Sequence, residues 1–391
     1  MLPVAIVTLT KDGRPSYFYL KTDKDTIQFD IFRPGYPKKV ADVLKIYDGV
    51  KDLLGWVFNN PIISPNIGSL LRAFSLDELS SDTQCYDMGI ATIYANKTPE
   101  ADALLCENIA NFASTMTLAP YQTILAKAQS AYYGLELSKL MLNYEIVEPK
   151  WSFETFSGRS KSTGFNIQGW SNPDIIRQPS IEENCLLLHF DWICADLRAA
   201  SILSQDPALI ESFTISDPYS YLSKKLIGND SMRDNAKILL LKTINSLDHD
   251  NEFVESAYPK MCGWLSNLLS DIHMTNKSYN IVGRPFLRSD DRNERSLLNA
   301  VLQGSVASAM QSVIWNVKQR YSNYIVCDIH DGLVLSVPKN KTIINDVISV
   351  VSEIFSRPFK DILLDDPFFP YRISVGESWK NWKVVKEVRL K

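Results

Sequence analysis

Two aspartates sit where strands are predicted to end. Asp191 closes the apolar run Cys185 to Trp192 (CLLLHFDW), and Asp331 lies between the β-rich runs 324–330 and 333–337. Carboxylates at the ends of neighbouring strands are suited to magnesium. Two such ions, about 3.5 to 4 Å apart, neutralise a phosphoryl group in transfer while nucleophile and leaving group stay in line. An acid at a strand end or a turn is also common for purely conformational reasons. On a helix predicted from about residue 230 to 247, Arg233 and Lys237 lie one turn apart on one face, with Leu241 drifting partly round it. That spacing can grip a triphosphate, and two solvated cations on an amphipathic helix share it. On a longer predicted helix, from about 292 to 320, Arg295, Asn299 and Gln303 form an i, i+4, i+8 polar stripe. It could track a nucleic-acid minor groove or simply face water.

The elements that must position these residues are legible in part. A near-continuous apolar run reads as a buried strand, so residues 185–192 carry Asp191 to a sheet edge. Asp331-Gly332 between two β-rich runs is a hairpin signal, because Asp-Gly supplies the positive φ angles of a tight turn. Upstream, strands are expected at 4–9 and 17–20 with a turn at Asp12-Gly13, and an amphipathic helix at 39–57. Thr98-Pro99-Glu100 is a good helix start, and helical pattern continues to about residue 143 with a break near Ala119-Pro120. These divisions predict a small α/β unit over 1–96, a short helical segment over 97–148 and a large mixed unit over 149–391.

The chain has 391 residues, 45% apolar and 22% charged, the balance of an ordinary folded protein. Uninterrupted apolar runs are too short for a membrane span, and residues 4–9 lack the basic flank of a signal peptide, so the expected location is cytoplasmic, with no membrane partner. Six scattered cysteines without a C-x-x-C pair, and only four histidines, indicate neither zinc nor a disulfide framework. The net charge of −4 counts against nucleic acid, but cations cluster locally, with Arg284, Arg288, Arg292 and Arg295 in one twelve-residue window.

Taken together and in order, these segments resemble a family A DNA polymerase, the DNA polymerase I type, across roughly residues 151 to 385. Ser157-Gly158-Arg159 followed by Asn166-Ile167-Gln168 resembles the T-G-R...N-L-Q segment, which implies primer and template contacts for Arg159, Asn166 and Gln168. F-D-W-I-C-A-D-L-R-A-A at 190–200 resembles motif A, with Asp191 as the first metal-binding aspartate and Asp196 where the family has a glutamate that excludes ribose 2′-hydroxyls. R-D-N-A-K at 233–237 matches the R-x-x-x-K of motif B, implying that Arg233 and Lys237 hold the incoming triphosphate. E-R-S-L-L-N-A-V-L-Q-G-S at 294–305 resembles a motif whose Arg295, Asn299 and Gln303 would contact template and minor groove. I-H-D-G-L-V-L-S-V-P at 329–338 resembles motif C, with Asp331 as the second metal ligand and His330 near the primer end. V-G-E-S-W at 375–379 resembles the family's terminal V-G-x-x-W.

The resemblance implies an α/β right-hand fold with palm, fingers and short thumb. It implies extension of a primer 3′ end with dNTPs using two Mg2+ ions, and partners that include primer-template DNA, dNTPs and a processivity factor, helicase or primase. Three departures stand out. Leu241, Asn245 and Ser246 replace an aromatic and Tyr-Gly in motif B, Asp196 is shorter than glutamate, and Gly332 replaces a glutamate. They leave open a polymerase that accepts both sugars, a single-subunit RNA polymerase type, and a catalytically silent primer-template-binding relative. The first strand carries no carboxylate, and of the expected exonuclease acids only Asp87 remains, which predicts a degenerate 3′–5′ exonuclease-like unit without proofreading. Compact size without proofreading points to a phage or mobile element.

Overall fold

The computed structural model describes residues 2–11, 15–30, 61–74, 84–90, 93–96, 98–115, 118–137, 140–142, 145–147, 149–153, 155–164, 167–169, 184–246, 251–289, 292–360, 362–377 and 382–390. The Asp12-Gly13 turn, the helix expected at 39–57, Asn166 and Trp379 lie outside the described residues. The chain divides into two units, one of residues 1–138 and 151–154, the other of 139–150 and 155–391.

The first unit is built on β1 (Val4–Leu9), β2 (Pro15–Lys21), β3 (Thr26–Asp30), β4 (Ile62–Ser64) and β5 (Cys85–Asp87), with α1 (Ile67–Phe74), α2 (Pro99–Ser114) and α3 (Pro120–Leu137). The sheet order is β3-β2-β1-β4-β5. β1 and β2 run antiparallel, and β1 with β4 and β4 with β5 run parallel. Alternation along a strand sends successive residues to opposite faces, and both faces here are apolar. Ala5, Val7, Phe18 and Leu20 pack with Leu70 and Leu71 of α1 and Ala126 and Tyr133 of α3. Val4, Ile6, Tyr17 and Tyr19 pack with Cys106, Ala110 and Ala113 of α2. Thr98 caps α2, its hydroxyl accepting from the Ala101 N–H. Of residues 97–148, expected as a separate short thumb, α2 and α3 complete the core of the first sheet, because their apolar faces have that sheet to cover, and residues 139–148 belong to the second unit.

The second unit begins with the short pair β6 (Leu140–Leu142) and β7 (Glu145–Val147), after which come β8 (Pro149–Ser152) and β9 (Lys161–Gly164). The strand expected at 185–192 is β10 (Cys185–Trp192), and helices α4 (Ala195–Ser204), α5 (Pro207–Ile215), α6 (Pro218–Ile227), α7 (Arg233–Asn245), α8 (Glu252–Ala257) and α9 (Pro259–Thr275) follow. The chain continues through β11 (Lys277–Tyr279), β12 (Pro285–Leu287), α10 (Glu294–Tyr321), β13 (Ile325–Ile329), β14 (Gly332–Pro338), α11 (Lys341–Ser356), β15 (Tyr371–Gly376) and β16 (Lys383–Val388). The main sheet is antiparallel throughout, in the order β13-β14-β10-β15-β16.

Helix α10 is long and apolar enough to meet a length-and-hydropathy test for a membrane span, yet 89% of that window is buried inside the protein. It packs against α4, α9 and α11 as the core helix of the unit. Beneath β10 an aromatic cluster holds the strand in place. Trp192 stacks on Phe355 at 4.5 Å between ring centroids, and its indole Nε1 donates to the Phe355 carbonyl at 2.8 Å.

Candidate functional site

β10 is the middle strand of its sheet, flanked by β14 and β15, which is why its apolar residues form a near-continuous run. Its ladder with β14 runs from Cys185 opposite Pro338 to Asp191 opposite Gly332, and on the other side Asp191 faces Arg372 of β15. One residue beyond the ladder's end, the Trp192 N–H donates to the Asp331 carbonyl at 3.1 Å. Two acids 140 positions apart in the chain are thus neighbours at one sheet end.

The turn that carries Asp331 differs by one residue from expectation. Ile329 pairs with Gly332, so the two-residue loop is His330-Asp331, and its positive φ (53°) belongs to His330 rather than to an Asp-Gly pair. Gly332 lies in the strand. Its lack of a side chain answers to close approach, because a Cβ there would lie 2.3 Å from His189 Nε2 and 3.0 Å from the Phe190 carbonyl. The His189 ring lies 4.3 Å from that of Trp382 at a tilt of 54°, its Nε2 has no hydrogen-bond partner, and burial pushes its pKa down to about 4. A glutamate after Asp331 would have to displace the His189 imidazole. Cys194 (φ 53°), at the start of α4, is a second left-handed residue beside the acids, and such backbone costs energy that functional sites retain.

Burial, followed by the charge of Asp331, pushes Asp191 up to about 6, offset by Arg372. Burial and Asp331 likewise push Asp196 up to about 6, offset by Arg159. Asp331 itself is raised by burial, against the pull of Arg159 and His330. Arg159 Nη2 lies 3.3 Å from Asp331 Oδ1 and 3.6 Å from Asp196 Oδ1. Crowded, partly buried carboxylates with raised pKa values are an arrangement that a cation relieves.

The loop bearing Arg159 is tied from several directions. Gly158 adopts φ +80°, where only glycine is unstrained, and a Cβ would also run into the Arg284 guanidinium. Gln311 of α10 donates to the Gly158 carbonyl at 2.7 Å, and the Thr155 hydroxyl donates to the Arg159 carbonyl at 2.6 Å. Ser160 Oγ donates to Asp328 Oδ2 at 2.5 Å. Gln168 Nε2 donates to Ser160 Oγ and Asp328 Oδ2, and its Oε1 accepts from the Ser162 N–H. Gln168 thus braces this loop.

Arg233 opens α7, and its Nε donates to Asp217 Oδ2 at 3.3 Å while its guanidinium sits 5.4 Å over the Tyr219 ring. Asp217 also caps α6, accepting from the Tyr219 and Ser220 N–H groups. The Tyr219 side chain lies within electrostatic reach of Cys194 and Asp196, which brings Arg233 close to the acidic corner. Lys237 is exposed one turn along and Leu241 is half-buried. At the far end of α7, Arg295 Nε donates to the Asn245 carbonyl at 3.0 Å. Asn299 Oδ1 is buried with no hydrogen-bond partner, and Gln303 is half-buried on the same stripe.

The structure therefore brings Asp191, Asp331, Asp196, Arg159 and His330 to one corner, with Arg233 close to it. Nothing in the contacts of Gln168, Asn299 or Gln303 joins them to the acids directly. Sequence reasoning missed Arg372, Asp217, Tyr219, Asp328 and Gln311. The Asp217-Pro218 pair, an N-cap followed by proline at the first turn, is a helix-start signal that would have found one of them.

Among the described residues no group of three or more His, Cys, Asp or Glu side chains is placed to hold a metal alone. Two hard oxygen donors fit magnesium nonetheless, which commonly takes one or two carboxylates and completes its shell with water and substrate phosphates.

No family model matches the sequence, and no curated protein matches it. Among solved structures the chain is similar to the POL domain of Pol1 from M. smegmatis in complex with DNA primer-template and dNTP, at TM-score 0.54 and 18% identity. The match covers 72% of this chain and 53% of that one, so the chain spans about half the length of that neighbour. The fold is a mixed α/β fold of the DNA polymerase type.

Proposed function

We propose that this protein is a template-directed DNA polymerase that extends a primer 3′ end with dNTPs, the chemistry residing in its second unit. The observation that carries the reading is the pairing of Asp191 with Gly332, which sets Asp191 and Asp331 side by side at a sheet end with both carboxyls raised. Asp191 and Asp331 would hold divalent cations, Mg2+ by the hardness of the donors, which would acidify the primer hydroxyl and neutralise the leaving pyrophosphate. Arg233 and Lys237 bind the triphosphate at the first turns of α7, where the helix dipole adds to their charge. To do so Arg233 exchanges its bond to Asp217 for a phosphate oxygen. Arg159 and His330, beside Asp331, face the primer end, and Arg295, Asn299 and Gln303 run along α10 toward the template, where the unpartnered Asn299 Oδ1 offers an acceptor.

The likeness in fold to a polymerase domain solved in complex with DNA primer-template and dNTP supports those two ligands as partners here. The first unit carries no hydrolytic site in this reading. β1 has no acid, and both oxygens of Asp87 accept backbone N–H groups, Oδ2 from Ile67 at 2.7 Å and Oδ1 from Gly89 at 2.6 Å.

A second reading, a polymerase that accepts both sugars, is favoured by Asp196. Its carboxyl is drawn to Arg159 and is a methylene shorter than glutamate, so it blocks less of the space a 2′-hydroxyl needs. One gel of primer extension with Mg2+, run with dNTPs and rNTPs in parallel, tests both. Extension with dNTPs alone supports the first reading, and extension with both supports the second. Equal extension by wild type and Asp331→Ala leaves only a primer-template-binding role.

A further inference from the structure

Without ligands, three carboxylates share one corner of the second unit, and a single guanidinium is aimed at two of them. Arg159 Nη2 reaches Asp331 Oδ1 at 3.3 Å and Asp196 Oδ1 at 3.6 Å, with the three side chains between 23 and 29% exposed. The backbone on either side is fixed in advance, by Gln311 at Gly158, by Thr155 at the Arg159 carbonyl and by Ser160 on Asp328. Gly158 in its left-handed conformation sets the direction in which the next side chain leaves the loop. The approach of the guanidinium is therefore built into the fold, and the loop has no need to move for the pair to form.

A carboxylate oxygen that accepts from a guanidinium is withheld from another cation, and two positive charges at that separation repel. We propose that Arg159 is a built-in counter-ion that competes with divalent cations for Asp331, so that loading the site exchanges guanidinium for metal and releases Arg159 to the nucleic acid. This rests on Asp191 and Asp331 being the cation-holding pair. The consequence is thermodynamic linkage. A polyanion that draws Arg159 away strengthens cation binding, and by reciprocity a bound cation strengthens the hold of Arg159 on the polyanion. The ligand-free protein would then bind divalent cations weakly and tighten its hold only when primer-template is present.

Manganese binding to the DNA-free protein, read by the electron paramagnetic resonance of unbound Mn2+, tests this directly. Arg159→Met is expected to bind Mn2+ about three- to fivefold more tightly than wild type, the worth of a partly exposed ion pair. The gain disappears when Asp331→Asn is added. Arg159→Lys, which keeps the charge, stays close to wild type. Circular dichroism melts of each variant establish that it is folded. Wild-type or weaker Mn2+ affinity in Arg159→Met, with Asp331→Asn abolishing binding, overturns the counter-ion and leaves the metal pair standing. Undiminished binding in Asp331→Asn overturns both.

Discussion

The two units each hang aspartates from the ends of a five-stranded sheet, and they use them in opposite ways. In the first, Asp87 ends β5 fully buried, with both oxygens accepting backbone N–H groups at the start of α1 and at Gly89. Its charge is absorbed by the fold. In the second, Asp191 and Asp331 meet at a sheet end where burial raises both and the charge of Asp331 raises Asp191 further, offset by Arg372 at Asp191 and by Arg159 and His330 at Asp331. A carboxylate at a strand end is thus not a metal ligand by position. What separates the two cases is whether the surrounding backbone has already claimed its lone pairs.

The sharpest way to break that contrast is to remove an acid of each kind. Asp331→Ala is expected to lower nucleotide incorporation by about a thousandfold or more while the melting temperature stays near wild type, because charge stabilisation of phosphoryl transfer is lost with little packing. Asp87→Ala is expected to leave incorporation unchanged. It should cost about 1–2 kcal/mol of stability, since the buried Ile67 N–H and the partly buried Gly89 N–H lose their acceptor. A fall in incorporation for Asp87→Ala in a folded protein would erase the distinction. Arg233→Ala is expected to weaken nucleotide use about ten- to a hundredfold, the range of a charge-assisted contact, in steady-state kinetics with varied dNTP.

Gly332→Glu sharpens the contrast from the side of packing. It is expected to destabilise the fold by about 1–3 kcal/mol, as overpacked sites do, because its Cβ meets His189 Nε2. Adding His189→Ala should recover part of the loss in urea melts, and no recovery would dismiss the imidazole as the cause.

The smallest effect is in pH. The folded chain holds protons on Asp191 and Asp196 up to about pH 6 that the unfolded chain releases near 4. Without divalent metal these groups therefore make stability fall as pH rises across that window. Asp191→Asn should gain on wild type from pH 4 to 6 and hold a constant advantage above about 7, measured by thermal melts in chelator.

What was legible in the sequence was local. The apolar run 185–192, the Thr98-Pro99 helix start, the strand at 4–9 and helix α10 all follow from patterns within a dozen residues, and the structure has each of them. The hairpin at Asp331 was legible in kind but displaced by one residue, because composition cannot say whether a glycine answers to φ or to a neighbour. Only the His189 ring across the ladder decides it. The assignment of α2 and α3 to a separate segment failed for a similar reason, since an apolar helix face does not state which sheet it will cover. Arg372, Asp328 and Gln311 were invisible because each acts through a partner far along the chain, whereas Asp217 was marked locally by the proline that follows it. The acids themselves stood out because strand ends are marked locally and because several motifs occurred in order.

The direct pairing of β10 with β14 has a consequence for how such a protein can vary. Residues 193–324, six helices and a long core helix among them, leave the sheet at Trp192 and return to it at β13, while the ladder closes without them. Insertions or deletions in the loops of that excursion would change its reach and its grip on ligands, yet the placement of the two acids is set by the β10–β14 ladder and the tight turn at its end. The architecture joins a ruler two strands wide to a long excursion whose connecting loops, unlike its core helix α10, can be lengthened or trimmed without moving the strands that carry the acids.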